Sequence, residues 1–311
     1  MLLDRNPNYL TRNPLDRASE RRSDSEWLRA RLEDPGTLII PLWRLMPFVI
    51  ETRGGEALEP GWLRPGLLEG LSGPEAATVF LGMEGETAHF AADISSMPDP
   101  ENEGPLKGLG RFEDLRGIAL RLNATDAAIL AQAKSMIDWH ARHRFCAACG
   151  AESELVEAGY KRLCPACNSE HFPRVDPVAI VLAVRDGTCL LGRGPKWPEG
   201  FFSALAGFVE PGETIEQSAR REVFEETGIR IRNVRFHSSQ PWPYASSLMI
   251  GCLADAENED IRVDEIEIAE ARWFPREDVK AMLKGETVNG YRCPPAMAIA
   301  HQLLRHWVYE G

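Results

Sequence analysis

Four cysteines near the middle of the chain limit its folding more than any other feature. They fall as Cys146-x2-Cys149 and Cys164-x2-Cys167. A CxxC turn presents two thiolates on one side of a metal. Two such turns complete a closed tetrahedral set of sulfurs, the donor set of structural Zn2+. Gly150 frees the backbone after the first pair, and Pro165 stiffens the second. Four thiolate ligands leave no open position, so one Zn2+ per chain is expected as a staple, with no chemistry assigned to it. The other cysteines, Cys189, Cys252 and Cys293, are scattered. The opening residues set charges and prolines where a secretion signal needs an apolar core, and the last four, VYEG, match no retention signal. The expected location is therefore cytoplasmic, where paired cysteines read as metal ligands rather than disulfides.

A staple at that position divides the chain. Its 311 residues suit two domains, at roughly 100–200 residues each. Hydrophobic residues at 44% and charged residues at 26% exclude wholesale disorder. No apolar run approaches the roughly 18 residues of a membrane-spanning helix, so no membrane partner is expected. The spacing of apolar runs and breakers predicts a polar N-terminal arm over 1–30 and a small α+β domain over 31–123. A linking helix over 124–142, capped by Asn123 or Thr125, follows. The zinc ribbon takes 143–172. An α/β domain takes 173–311, opening on the strand Val178–Val184 and alternating strands with helices from there. The net charge of −12 argues against a broad nucleic-acid-binding face and suits a site that holds divalent cations through carboxylates.

The carboxylates for such a site lie between Gly207 and Ile229. Pro211 and Gly212 make a turn, and Thr214 with Gln217 forms a capping box. A helix then runs to Thr227, with Gly228 as its left-handed terminator. At 3.6 residues per turn, Glu222, Glu225 and Glu226 fall within an arc of roughly 100° that also carries Ile215, Ala219 and Val223. Glu226 thus stands where an amphipathic helix places an apolar side chain. Carboxylates massed on an inward face repel one another and need counter-charge, which Mg2+ or Mn2+ supplies through oxygen ligands. Arg221 is placed to pair with Glu213 and hold the loop to the helix.

The whole stretch reads G-x5-E-x7-R-E-U-x-E-E-x-G-U, with U a bulky aliphatic residue, and in this it resembles the Nudix hydrolases at every fixed position. Downstream, Ser239-Gln240-Pro241-Trp242-Pro243-Tyr244-Ala245-Ser246-Ser247 is similar to the SQPWPFPxS signature of the NADH pyrophosphatase (NudC-like) subfamily. Tyr244 replaces Phe, and Ala245 replaces Pro. The segments Trp139–Gly150 and Phe172–Pro177, the second CxxC, Leu81–Met83 and Leu115-Arg116 also look like that subfamily.

The resemblance implies a three-part chain, with a NUDIX-like N-terminal domain, a zinc ribbon and a C-terminal Nudix α/β/α sandwich built on a mixed sheet. It implies hydrolysis of NADH or NAD+ to nicotinamide mononucleotide and AMP, removal of an NAD cap from the 5′ end of RNA as a related activity, and a homodimer. Carried over to this sequence, the family's catalytic metal ligands fall on the Ala206 carbonyl, Glu222, Glu226 and Glu267, with Glu225 joining through a second ion or a water. Glu265 and Glu270 are alternatives to Glu267. Substrate contacts fall on Phe208, Phe172, Gln240, Pro241, Trp242, Pro243, Tyr244, Ala245, Ser246, Ser247, Ala300 and Arg116. Two rivals stand beside this reading: a Nudix hydrolase of another nucleoside diphosphate derivative such as ADP-ribose, and a non-catalytic RNA-binding module. The intact glutamates argue against the second.

Overall fold

The apolar runs that precede the cysteines become the strands of a first sheet. A computed structural model describes Asn6 and residues 8–52, 54–68, 71, 76–264 and 266–311. The chain forms two compact units: Arg12–Arg174 with Pro243–Ser246, and Val175–Trp242 with Ser247–Gly311 and the N-terminal residues up to Thr11.

In the first unit, helix α1 (Ser25–Glu33) begins at Asp24, whose carboxylate accepts the Trp27 N–H at 2.9 Å. Strands β1 (Leu38–Trp43), β2 (Met46–Glu51) and β3 (Leu58–Pro60) follow, then α2 (Pro65–Leu68), β4 (Thr78–Glu84), β5 (Thr87–Asp93) and β6 (Arg111–Phe112). The sheet order is β3-β2-β1-β5-β4, with β6 paired to β2. Its centre is a parallel pair, Leu38↔His89 through Leu42↔Asp93. β1, β4 and β5 each bury four or more consecutive residues, as strands covered on both faces do. Helix α3 (Leu115–Ile118) leads to α4 (Ala124–Arg142), capped by Asn123 rather than Thr125.

The stretch expected as an arm is built into the fold. Trp27, Leu28 and Leu32 of α1 pack on the Phe80 and Phe90 cluster, and Leu15 is buried. In the second unit Asn8 is fully buried, donating to the Ser238 hydroxyl and the Ser239 carbonyl, both at 3.0 Å. A few well-spaced side chains thus anchor a polar stretch. The ribbon adds a small sheet of β7 (Glu154–Val156), β8 (Lys161–Leu163) and β9 (Glu170–His171).

The second unit holds β10 (Asp176–Arg185), β11 (Thr188–Arg193), β12 (Leu205–Phe208), α5 (Ile215–Thr227), β13 (Ile231–Trp242), β14 (Ser247–Ala256), β15 (Glu270–Pro275), α6 (Arg276–Leu283) and α7 (Ile299–Tyr309). The expected alternation of strands and helices gives way here to hairpins. Asp186 and Gly187 both have positive φ, at 46° and 77°. That turn feeds β10 directly into β11, as two-residue hairpins with both central residues left-handed do. The sheet order is β13-β14-β10-β11-β15, with β12 on β10, and β10 and β14 run parallel from Asp176↔Ser247 to Val184↔Asp255. Alternate residues of β10 serve opposite faces. Ile180 and Leu182 meet Leu303, Leu304 and Trp307 of α7, while Ala179 and Val181 share a second core with Ala219 and Val223 of α5. The result is the α/β/α sandwich expected from the resemblance.

Candidate active site

Helix α5 forms within its predicted bounds. The Thr214 hydroxyl accepts the Gln217 N–H, the Gln217 side chain accepts the Thr214 N–H at 2.8 Å, and Gly228 closes the helix at φ 69°. This fixes the glutamates against the end of β12. A Cβ on Gly207 would lie 1.7 Å from the Glu222 carboxyl carbon, so only glycine lets that carboxylate rest on the strand backbone. Arg221 ties the assembly together. It donates to Glu213 at 2.7 and 2.8 Å, to Glu222 at 2.8 Å, to Glu225 at 3.0 Å and to the Phe208 carbonyl at 3.0 Å. The Arg221 guanidinium and the Glu210 N–H draw the Glu213 carboxyl down to about 2.

Glu226 behaves differently. Its side chain is 7% exposed, and its Oε2 is buried with no hydrogen-bond partner. Burial, and then the charges of Glu222 and Glu267, push its pKa up to about 8. Burial also raises Glu222, against the pull of Arg221. An isolated carboxylate in that position is costly unless a cation meets it. Its orphaned oxygen fits a divalent ion. Among the described residues, though, the only His, Cys, Asp or Glu side chains already gathered closely enough to share one ion are the four cysteines. Glu225 sits further out, 55% exposed and paired to Arg221.

A cavity of about 350 Å³ brings Ala206, Glu226 and Glu267 together with Lys196 and Trp197. Asp264 shapes the turn under Glu267: its carbonyl accepts the Glu267 and Ile268 N–H groups at 3.1 and 2.8 Å, and its carboxylate accepts the Ile266 N–H at 2.9 Å. Glu270 is engaged elsewhere, hydrogen-bonded to Arg272 and within 3.8 Å of Arg193. Glu265 lies outside the described residues. Lys196 and Trp197 escaped the sequence reading, although a tryptophan beside a lysine in a Gly/Pro-rich loop was the available signal.

The expected substrate contacts divide by burial. The rings of Phe208 and Phe172 are 59% and 61% exposed, which removes core packing as their role. Gln240 is fully buried and donates to the Met297 carbonyl at 2.9 Å. Pro241 and Trp242 end β13, and Ser247 opens β14. The turn between them, Pro243 to Ser246, belongs to the first unit. There the Arg116 guanidinium lies 4.6 Å from the centre of the Tyr244 ring, and the Ala245 carbonyl accepts from Ser135 at 3.4 Å. Ala300 sits in the α7 core at 2% exposure, so its methyl group packs inward and any contact with a ligand falls to its backbone.

The cysteines converge as their spacing predicts. Cys146 and Cys167 sulfurs lie 3.6 Å apart, Cys149 and Cys164 sulfurs 3.5 Å apart, and all four lie within 4.8 Å of one another. The two knuckles share one backbone form: the Gly150 N–H bonds the Cys146 carbonyl and the Asn168 N–H bonds the Cys164 carbonyl, each at 2.9 Å. Gly150 and Asn168 both adopt positive φ, at 78° and 60°. Asparagine tolerates that region, so the second knuckle repeats the first without a glycine. This gathered S4 set fits structural zinc.

Three family descriptions match the chain: an NADH pyrophosphatase-like rudimentary NUDIX domain over 36–139, an NADH pyrophosphatase zinc ribbon domain over 141–172, and a NUDIX domain over 173–292. The chain is 39% identical over 338 residues to the NAD-capped RNA hydrolase NUDT12 of Homo sapiens, covering 97% of this chain and 73% of that one. It is 40% identical over 246 residues to the mitochondrial NAD(P)H pyrophosphatase NUDT13 of Homo sapiens, covering 72% and 69%. It is 36% identical over 244 residues to the NAD-capped RNA hydrolase NudC of Mycobacterium bovis, covering 75% and 76%.

Proposed function

This chain belongs to the Nudix hydrolases that carry the NADH pyrophosphatase zinc ribbon and rudimentary NUDIX domain, and we propose that it hydrolyses the pyrophosphate of NADH or NAD+ to nicotinamide mononucleotide and AMP. The observation that carries this reading is Glu226: a buried carboxylate with an orphaned oxygen, beside Glu222 on Gly207 and in one cavity with Glu267 and Ala206. We assign the catalytic role to Glu222, Glu225, Glu226 and Glu267. Mg2+ or Mn2+, when bound, stabilises the charge that develops on the phosphate oxygens and lowers the pKa of the attacking water. Glu222 and Glu226 would hold the ion, while Arg221 keeps Glu222 and the loop in register. The water's proton is assigned to whichever of Glu267 and Glu225 stays off the ion. Phe208 and Phe172, exposed rings both, are assigned to the flat bases. Gln240, Pro241, Trp242, Ser247 and the Ala300 backbone are assigned to the rest of the substrate.

The names of two relatives favour a second substrate, the NAD cap of RNA, which presents the same pyrophosphate. A panel of NADH, NAD+, NAD-capped RNA and ADP-ribose, each with Mg2+ and Mn2+, tests the assignment. NADH or NAD+ is expected to turn over faster than ADP-ribose, and the reverse order returns the site to a general nucleoside diphosphate hydrolase. No helix among the described residues is long and apolar enough to cross a membrane. Cytoplasmic residence and a homodimer belong to this same reading, and light scattering at micromolar concentration tests the dimer.

A further inference from the structure

Loop 194–200 joins the two sides of the cavity that holds Glu226 and Glu267, and it is fixed at both ends. Gly192 and Ser203 exchange backbone hydrogen bonds at 2.8 and 2.9 Å, and the Gly200 carbonyl accepts the Arg292 N–H at 2.8 Å. Within the loop, the Trp197 N–H closes a turn onto the Gly194 carbonyl at 3.0 Å. The Trp197 ring stands edge-to-face on Phe201, with centroids 5.4 Å apart and planes at 78°, yet it remains 43% exposed. A large ring that is oriented by a neighbour but left open to solvent is a stacking surface. Beside it, Lys196 is the one cation among the described residues that line this cavity, and the described acids there are Glu226 and Glu267. It forms no ion pair with a described carboxylate, so its charge is not spent on those acids.

We propose that loop 194–200 is a recognition element for the substrate: Lys196 receives a phosphate of the dinucleotide, and Trp197 stacks on one of its bases. The inference rests on the pyrophosphatase reading above and adds a positioning pair to it. A dianionic pyrophosphate brought against glutamates gains from positive charge in the same cavity, and Lys196 supplies it. The fixed loop limits the entropy lost when the ligand binds. The contacts form in the bound ground state and persist in the transition state, so they govern KM more than kcat.

The test compares the wild-type protein with Lys196→Ala, Lys196→Arg, Trp197→Ala and Trp197→Phe in NADH hydrolysis under saturating Mg2+, and in AMP binding by calorimetry. Lys196→Ala is expected to raise KM roughly 5- to 20-fold with kcat held within about twofold, and Lys196→Arg to restore most of the loss. Trp197→Ala is expected to raise KM by roughly 3- to 10-fold, and Trp197→Phe by less, because phenylalanine keeps a ring. AMP carries both a phosphate and a base, so its affinity should fall in both alanine variants. Unchanged KM and unchanged AMP affinity in both overturn the inference while the NAD(H) assignment stands. A wild-type protein inactive on NADH and NAD+ removes the assignment instead, and the AMP titration then decides the loop's role without turnover.

Discussion

In the sheet that starts at Leu38, the parallel pair β1 and β5 sits between antiparallel neighbours; in the sheet that starts at Asp176, the parallel pair is β10 and β14. Each sheet packs a helix, α4 on the first and α5 on the second. The helices differ in their acids. Asp138 of α4 is buried, and Arg142 one turn on neutralises it at 2.7 Å. Glu226 of α5 is buried with an unmet oxygen, and Glu222 rests on a glycine that leaves it room. The same layer design therefore gives a structural half and a chemical half. What separates them is whether the buried acid is satisfied within the protein.

The largest effect expected on this comparison comes from the structural half. Cys164→Ser removes a ligand from a closed zinc site, and metal binding there contributes directly to folding. The loss of stability should reach several kcal/mol, on the order of a large fraction of the domain's total. Zinc content and thermal melting measured together check it. A stable, zinc-free but inactive variant contradicts a purely structural role.

Next comes Glu226→Gln, which keeps the shape and removes the charge. NADH turnover should fall roughly 100-fold or more, about 2.7 kcal/mol of transition-state stabilisation, with partial recovery at raised Mn2+. Without added Mg2+ or Mn2+ the variant should melt no lower than the parent, because an unpaired buried acid contributes no stability. A lower melting point together with full activity would return Glu226 to a structural role. Gly207→Ala drives a methyl into the Glu222 carboxylate and should cut kcat by roughly tenfold or more, since small misplacements of a catalytic group are amplified in rate. Near-normal kcat would show that the close approach is dispensable.

Smaller again is Phe208→Ala, for which KM for NADH should rise roughly 3- to 10-fold with little change in kcat. An unchanged KM would remove the exposed ring from the substrate site. The smallest effects sharpen the contrast directly. Asp138→Asn should leave kcat within about twofold while lowering the melting temperature, because it unpairs Arg142 near a buried position. Glu216→Gln, on α5 but outside the glutamate set, should do neither. If Asp138→Asn removes activity as strongly as Glu226→Gln, the division into structural and chemical halves fails.

Much of this was written in short spans of chain. The cysteine spacing, the capping box at Thr214, the Gly228 terminator, the Arg221–Glu213 pair and the inward placing of Glu226 all follow from residues a few positions apart, where helix and turn geometry leave few alternatives. The Asp186-Gly187 hairpin belongs to the same class, and its dipeptide was a signal for a strand-to-strand turn within the stretch expected to alternate strands and helices. The tertiary structure alone decided matters that depend on distant segments meeting. It set Glu267 in the cavity and Glu270 on Arg272, pressed Gly207 under Glu222, turned the Ala300 methyl into the core, and brought loop 194–200 to the glutamates. The physical reason is register and burial. Which side chain reaches a site from another strand or loop is fixed by strand pairing and by core packing on both faces of the sheet, and neither is encoded in the spacing of neighbouring residues.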